Sequence, residues 1–185
     1  MTCKTGKVCY SIANMDDFPC GCKVETMILY HGTNMEVKQP RIMFSGRRLD
    51  FGNAFYLTSD LEQASRWARL TAARRQEGSP TITVYEIDDS RFGLLSLKTF
   101  DAPNAKWLKY VAANRTGTGK PETADVVVGP VANDQTSPVI AMFLSGDLSV
   151  SETIRRLRPQ QLKDQYAFRS EKAISLLKYK ETIVI

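Results

Sequence analysis

The sequence predicts a single α+β domain, and three observations lead there. From Thr26 onward, strand-like and helix-like segments alternate with no internal repeat and no long linker. Two segments share one build: Thr26 to Tyr30, β-branched and apolar, runs into His31-Gly32-Thr33, and Phe51-Gly52 leads through Ala54-Phe55-Tyr56-Leu57 into Ser59-Asp60. The chain has 185 residues, 43% hydrophobic and 24% charged, which suits one well-packed core and would cramp two.

The elements follow in order. Residues 1–25 lack periodicity and read as an N-terminal extension ahead of a domain over residues 26–185. Thr26 to Tyr30 predicts a short strand ending at the His-Gly step, with the lone histidine of the chain at its end. Ser59-Asp60-Leu61-Glu62 has the spacing of a capping box, and the helix it opens closes at Gln76-Glu77-Gly78. Thr81 to Ile87 alternates as a strand, and Leu94 to Phe100 predicts another. Asp101 to Arg115 is helical by spacing, with Gly117-Thr118-Gly119-Lys120 after it as a turn. Ala124 to Pro130 is a continuous apolar run, the pattern of a strand covered on both faces. Ser137-Pro138 starts a helix that stops at Gly146, and Ser149-Val150-Ser151-Glu152 caps a short one ended by Pro159. Gln165 to Phe168 predicts a strand, Glu171 to Leu177 a helix capped by Ser170, and Thr182 to Ile185 a last strand. Trp67 and Trp107 are expected in the core.

Several function classes drop out. The sequence has no G-x-S-x-G, no H-E-x-x-H, no phosphate-binding P-loop and no G-x-G-x-x-G after a strand. All four cysteines, Cys3, Cys9, Cys20 and Cys22, precede the predicted domain, so no Cys–His pair is expected on rigid elements. Zinc held by the four thiolates is one reading of them, and a loosely docked tail is the other. No apolar run is long enough to span a bilayer and no secretory h-region is visible. A cytoplasmic protein without a membrane partner is expected, with delivery lacking a signal peptide left open. The net charge of +5 suits an anionic ligand, a dinucleotide or nucleic acid.

The residues left to carry chemistry are His31, Tyr56 and Gln165. Their segments resemble the ADP-ribosyltransferase superfamily, on the diphtheria-toxin and poly(ADP-ribose) polymerase side with its His-Tyr-Glu triad. Leu29-Tyr30-His31-Gly32-Thr33 is similar to the first motif and Gly52 to Asp60 to the second. Asp164-Gln165-Tyr166 stands where the third is normally Asn-Glu-Tyr. The segments at residues 29–33, 129–134 and 165–168 are also similar to those of a group of small bacterial proteins that keep this core. The likeness extends from about Thr26 to Leu177 and rests on the order and spacing of short motifs.

The resemblance implies a split antiparallel sheet core with flanking helices and NAD, used as substrate, in the cleft between two small sheets. It implies mono-ADP-ribosyl transfer to an unknown acceptor, with release of nicotinamide and inversion at the ribose, and with no metal required. Breaking the bond to nicotinamide passes through an oxocarbenium-like state, so the site must hold the ribose and aim negative charge at it. His31 would hydrogen-bond a ribose hydroxyl, Tyr56 would stack on nicotinamide, and Gln165 would position the ribose or the acceptor. Gly32 and Thr33 would offer backbone groups to the nicotinamide amide, Arg47 and Arg48 would grip the pyrophosphate, and Asp134 would line the cleft.

Glutamine in place of glutamate removes a charge and a base. That disfavours polymer elongation and points to mono-ADP-ribosylation, to slow NAD hydrolysis, or to a module that binds NAD or ADP-ribose without chemistry. Glu171 is a replacement carboxylate on paper, but it reads better as the acidic start of a helix. Each residue also has a plainer reading: His31 as a satisfied structural histidine, Gln165 as an edge-strand polar residue, the arginines as solvated charge, Asn133-Asp134 as a turn. A basic nucleic-acid-binding protein is the reading that rests on charge alone.

Overall fold

The computed structural model describes residues 25–44, 48–132, 136–158 and 162–185. Within them the order is β1 (Thr26–Thr33), β2 (Phe55–Leu57), α1 (Leu61–Arg75), β3 (Thr81–Asp88), α2 (Asp89–Phe92), β4 (Leu97–Thr99), α3 (Ala105–Thr116), β5 (Val126–Pro130), α4 (Ser137–Leu144), α5 (Val150–Leu157), β6 (Asp164–Phe168), α6 (Glu171–Ile174) and β7 (Lys178–Val184). The chain is thus mixed α+β with two sheets. One has the order β1-β3-β7 and the other β2-β6-β5-β4. Every pairing is antiparallel except β4 with β5, which is parallel. That exception follows from connectivity, because α3 supplies the crossover that parallel neighbours need.

The two sheets meet at one seam. Tyr30 N–H donates to the Thr58 carbonyl at 2.8 Å, and Thr58 N–H returns the bond to the Tyr30 carbonyl at 3.0 Å. β1 does not end at the His-Gly step, as its composition predicts. It runs on to Thr33 because β3 pairs with it throughout, up to Thr33 opposite Thr81, so His31 lies inside a strand. Helix α1 presses on this strand. A Cβ on Gly32 would stand 1.9 Å from the Ala64 carbonyl oxygen, so only glycine permits the approach. The α1 face turned to the strand is correspondingly small, with Ala64 and Ala68 fully buried.

Small residues there rotate Trp67 off the core. It is half-buried on the flank of α1, against the expectation of a core tryptophan. Trp107 is fully buried, as expected, with its indole N–H donating to the Pro130 carbonyl at 2.9 Å. Leu29, Phe55, Tyr85 and Phe168 centre one apolar cluster, and Phe51, Trp107, Val127 and Ile140 another.

Two further details differ from the sequence expectations. The N-cap of α1 is Asp60, whose carboxylate accepts from Gln63 N–H at 2.7 Å, because Ser59 is drawn away to Asp164. Helix α6 stops at Ile174, and β7 starts at Lys178 because it pairs with β3 as far as Glu86. Among the described residues no helix is long and apolar enough to cross a membrane.

Candidate functional site

A cleft opens beside the seam. It consists of a cavity of about 670 Å³ and an adjoining one of about 510 Å³. Asp50, Trp67, Thr71, Arg74, Ala132 and Gln165 line both. Both volumes fall in the range of small-molecule sites, roughly 300–1,000 Å³.

His31 lines the larger cavity from β1. Its Nδ1 lies 2.8 Å from the Tyr56 carbonyl oxygen. A carbonyl only accepts, so Nδ1 carries the proton and Nε2 is left as an acceptor. Phe55 stacks on the ring, 4.4 Å between centroids and 30° between planes. Desolvation lowers the imidazole pKa and the Arg75 charge pushes the same way, against the Tyr56 bond. The ring is therefore neutral at pH 7 and offers Nε2 to an O–H donor.

Gly32 also lines this cavity. Backbone groups of a strand alternate edges with period two, so those of Gly32 share the edge of Tyr30, turned away from β3. Thr33 does not join the site. It is buried, its hydroxyl donates to Asn34 Oδ1 at 3.3 Å, and it lines neither cavity.

Tyr56 enters from β2. Its hydroxyl donates to the Gly52 carbonyl at 2.6 Å and accepts from Phe51 N–H at 3.2 Å. Gly52 has φ +76°, a left-handed conformation that glycine adopts without strain, and it folds the loop back onto the ring. Burial raises the phenol pKa, and the nearby Asp50 charge adds to the rise, so Tyr56 stays protonated.

Gln165 comes from β6. Tyr56 pairs with Ala167 across the β2–β6 ladder, and Gln165 lies two residues along, so both side chains share one face of the sheet. Gln165 is 5% exposed, and its Nε2 is buried with no hydrogen-bond partner. An orphaned amide of this kind is uncommon in folded chains and calls for an explanation. Its neighbour Asp164 is fully engaged, accepting from the Thr58 hydroxyl and Ser59 N–H, both at 2.9 Å, and from the Ser59 hydroxyl.

The charge around the cleft is mostly positive. Arg48, Arg66, Arg74, Arg115 and Lys163 line it, against Asp50, Asp60 and Glu62. Arg48 also lies against Gly117 at the C-terminus of α3, where a cation suits the helix dipole. Arg47 and Asp134 lie outside the described residues, as do Cys3, Cys9, Cys20 and Cys22. Among the described residues no cluster of three or more His, Cys, Asp or Glu could hold a metal ion. Glu171 is exposed at the start of α6 and lines neither cavity.

Most of the cleft lining was not foreseen as such, Asp50, Trp67 and Arg74 among it. Asp50 pairs with Arg115 at 2.6 Å across 65 positions of sequence, a contact no local pattern announces. Trp67 and Arg74 do carry a signal: Gln63, Arg66, Trp67, Leu70, Thr71 and Arg74 recur at helical spacing and form the cleft-facing wall of α1.

No curated protein and no solved structure matches the chain. A family model does match, over residues 27–179, a span that takes in β1 through the start of β7 and every cleft residue named above. The chain belongs to the family described as protein of unknown function, DUF3990.

Proposed function

We propose that this chain is a mono-ADP-ribosyltransferase that takes NAD into the cleft and passes ADP-ribose to an acceptor, releasing nicotinamide. One observation carries the reading: His31, Tyr56 and Gln165, from three separate strands, line one cleft of ligand size. His31 Nε2 would accept a ribose hydroxyl, the two backbone groups of Gly32 would pair with the nicotinamide amide, and the Tyr56 ring would stack on the leaving group. Arg48 and Arg74 would take the pyrophosphate. In the reaction the bond from ribose C1′ to nicotinamide breaks, its electron pair leaves on the nicotinamide nitrogen, and the acceptor bonds to C1′ with loss of a proton. The cleft contributes orientation and a preset polar environment.

The test is incubation of the purified chain with NAD, following free nicotinamide by chromatography, with His31→Ala and Tyr56→Ala alongside. Wild-type release that falls at least about 100-fold in folded variants is expected. Release unchanged in both variants removes the reading. A second reading is favoured by the carboxamide at position 165, which brings no charge to the ribose. The same cleft would then bind NAD or ADP-ribose without chemistry. In that case NAD raises the melting temperature, no nicotinamide appears, and Gln165→Glu creates release.

A further inference from the structure

A glutamine at position 165 leaves the transfer short of a carboxylate, yet the cleft does contain acids. Asp60 caps α1 and pairs with Lys163 at 2.7 Å. Glu62 is exposed and lines only the smaller cavity. Asp50 differs from both. Its side chain is 12% exposed, and it lines both cavities together with Gln165. Arg115 Nε holds one of its oxygens at 2.6 Å, and Ala132 lines both cavities beside it. That anchor comes from α3, 65 positions along the chain, and fixes the group at the cleft wall.

We propose that Asp50 is the general base of the transfer, and that the acceptor approaches through the smaller cavity with a nucleophile that carries a proton. This rests on the transferase reading. A carboxylate acceptor needs no base, whereas a hydroxyl, a guanidine or a nucleobase nitrogen does. As the nucleophile bonds to ribose C1′, the bond to nicotinamide breaks and the electron pair leaves on its nitrogen. The proton of the nucleophile passes to the Asp50 carboxylate and from there to solvent.

The other groups of the cleft serve this step less well. His31 has a free Nε2 but lines only the larger cavity, where the ribose would occupy it. Tyr56 is a protonated donor to Gly52. Gln165 has no basic form. Burial lifts the Asp50 carboxyl above its ordinary range while Arg115 opposes the lift. A carboxylate so lifted is a stronger base than an exposed one.

The experiment measures NAD hydrolysis, with water as the proton-bearing acceptor, in wild type, Asp50→Asn, and Asp50→Asn combined with Gln165→Glu. NAD binding is followed separately by thermal shift. Agmatine, serinamide and guanosine are then added as guanidine, hydroxyl and nucleobase probes, and acetate as the carboxylate probe. Asp50→Asn should lose at least about 100-fold in turnover while NAD still raises its melting temperature. Adding Gln165→Glu should raise turnover at least about 10-fold more than the same substitution does in the wild-type background, which a purely structural role for Asp50 would not allow. Should Asp50→Asn fail to fold, Asp50→Asn with Arg115→Gln removes both partners, strands no buried charge and should show the same loss. Faster turnover with agmatine, serinamide or guanosine, sensitive to Asp50→Asn, assigns the acceptor class. Turnover of Asp50→Asn within about threefold of wild type, or stimulation by acetate alone, overturns the role of Asp50 and leaves the transferase reading standing. Wild type that binds NAD and releases no nicotinamide overturns both.

Discussion

Asp164 and Gln165 are adjacent on β6 and meet opposite conditions. Asp164 points into the seam between the sheets, where three donors from Thr58 and Ser59 reach its oxygens and Gln63 takes its carbonyl. Gln165, one residue on and therefore on the other face, is more deeply buried and has an amide nitrogen with no partner. The seam is saturated and closed upon itself. The cleft holds an imidazole acceptor, a half-buried tryptophan and a buried amide nitrogen that has no partner among the described residues. A buried donor left unsatisfied costs about 1–3 kcal/mol, so the Gln165 amide marks a point of the cleft that is built for something other than stability.

The comparison breaks most visibly on the seam side. Gly32→Ala drives a methyl to 1.9 Å from the Ala64 carbonyl, and 3.0 Å from Ala68 N, so α1 must lift from β1. The expected cost is about 3 kcal/mol, or a fall of roughly 6–12 °C in the melting temperature. A variant that melts within 2 °C of wild type, a change of about one-half kcal/mol, would mean that α1 does not rest on Gly32. Asp164→Ala comes next. It strips the acceptor from Thr58 and Ser59 and should cost about 2 kcal/mol in a denaturant melt, with m unchanged.

How much of this was legible in the sequence divides along the same line. The strands and helices could be read because their signals are local: β-branched alternation over Thr81 to Ile87, the apolar run before Pro130, the Ser149 cap. His31, Tyr56 and Gln165 stood out because each sits in a short motif at a strand. What was hidden is whatever depends on two distant segments meeting. Trp67 looks like a core residue until Gly32, more than thirty positions earlier, is seen to draw Ala64 and Ala68 to the sheet and turn the indole aside. Asp50 looks like a loop acid until α3 brings Arg115 to it. Ser59 looks like a helix cap until Asp164 claims its hydroxyl and Asp60 takes its place.

His31 lies between the two regions, since its Nδ1 belongs to the seam and its Nε2 to the cleft. Its pKa is lowered in the folded chain, chiefly by desolvation. The unfolded chain therefore takes up a proton first as pH falls. Stability from the neutral ring is complete above about pH 6.5, the ordinary histidine value, and declines as pH drops toward the lowered folded value, at no more than about 1.4 kcal/mol per pH unit. Urea melts at pH 7.5 and 5.5 should show this loss, and His31→Asn should remove most of the difference. A variant with the same pH slope as wild type would place the titration in the carboxylates.

The smallest expected change is the most telling one. Gln165→Met keeps the side-chain volume and replaces an orphaned buried amide with a thioether. If the amide is held for a ligand, its loss should leave stability unchanged or raise it by up to about 1 kcal/mol, because the desolvation cost of the unpaired nitrogen disappears. The same substitution should abolish the NAD-induced rise in melting temperature. Stability and binding would then move in opposite directions at one residue, whereas at Asp164, one position earlier, a loss of stability is expected. A Gln165→Met protein that is less stable than wild type by 1 kcal/mol or more would show that the amide serves the fold, at about the size of an ordinary hydrogen bond. The contrast between seam and cleft would then lose its main support.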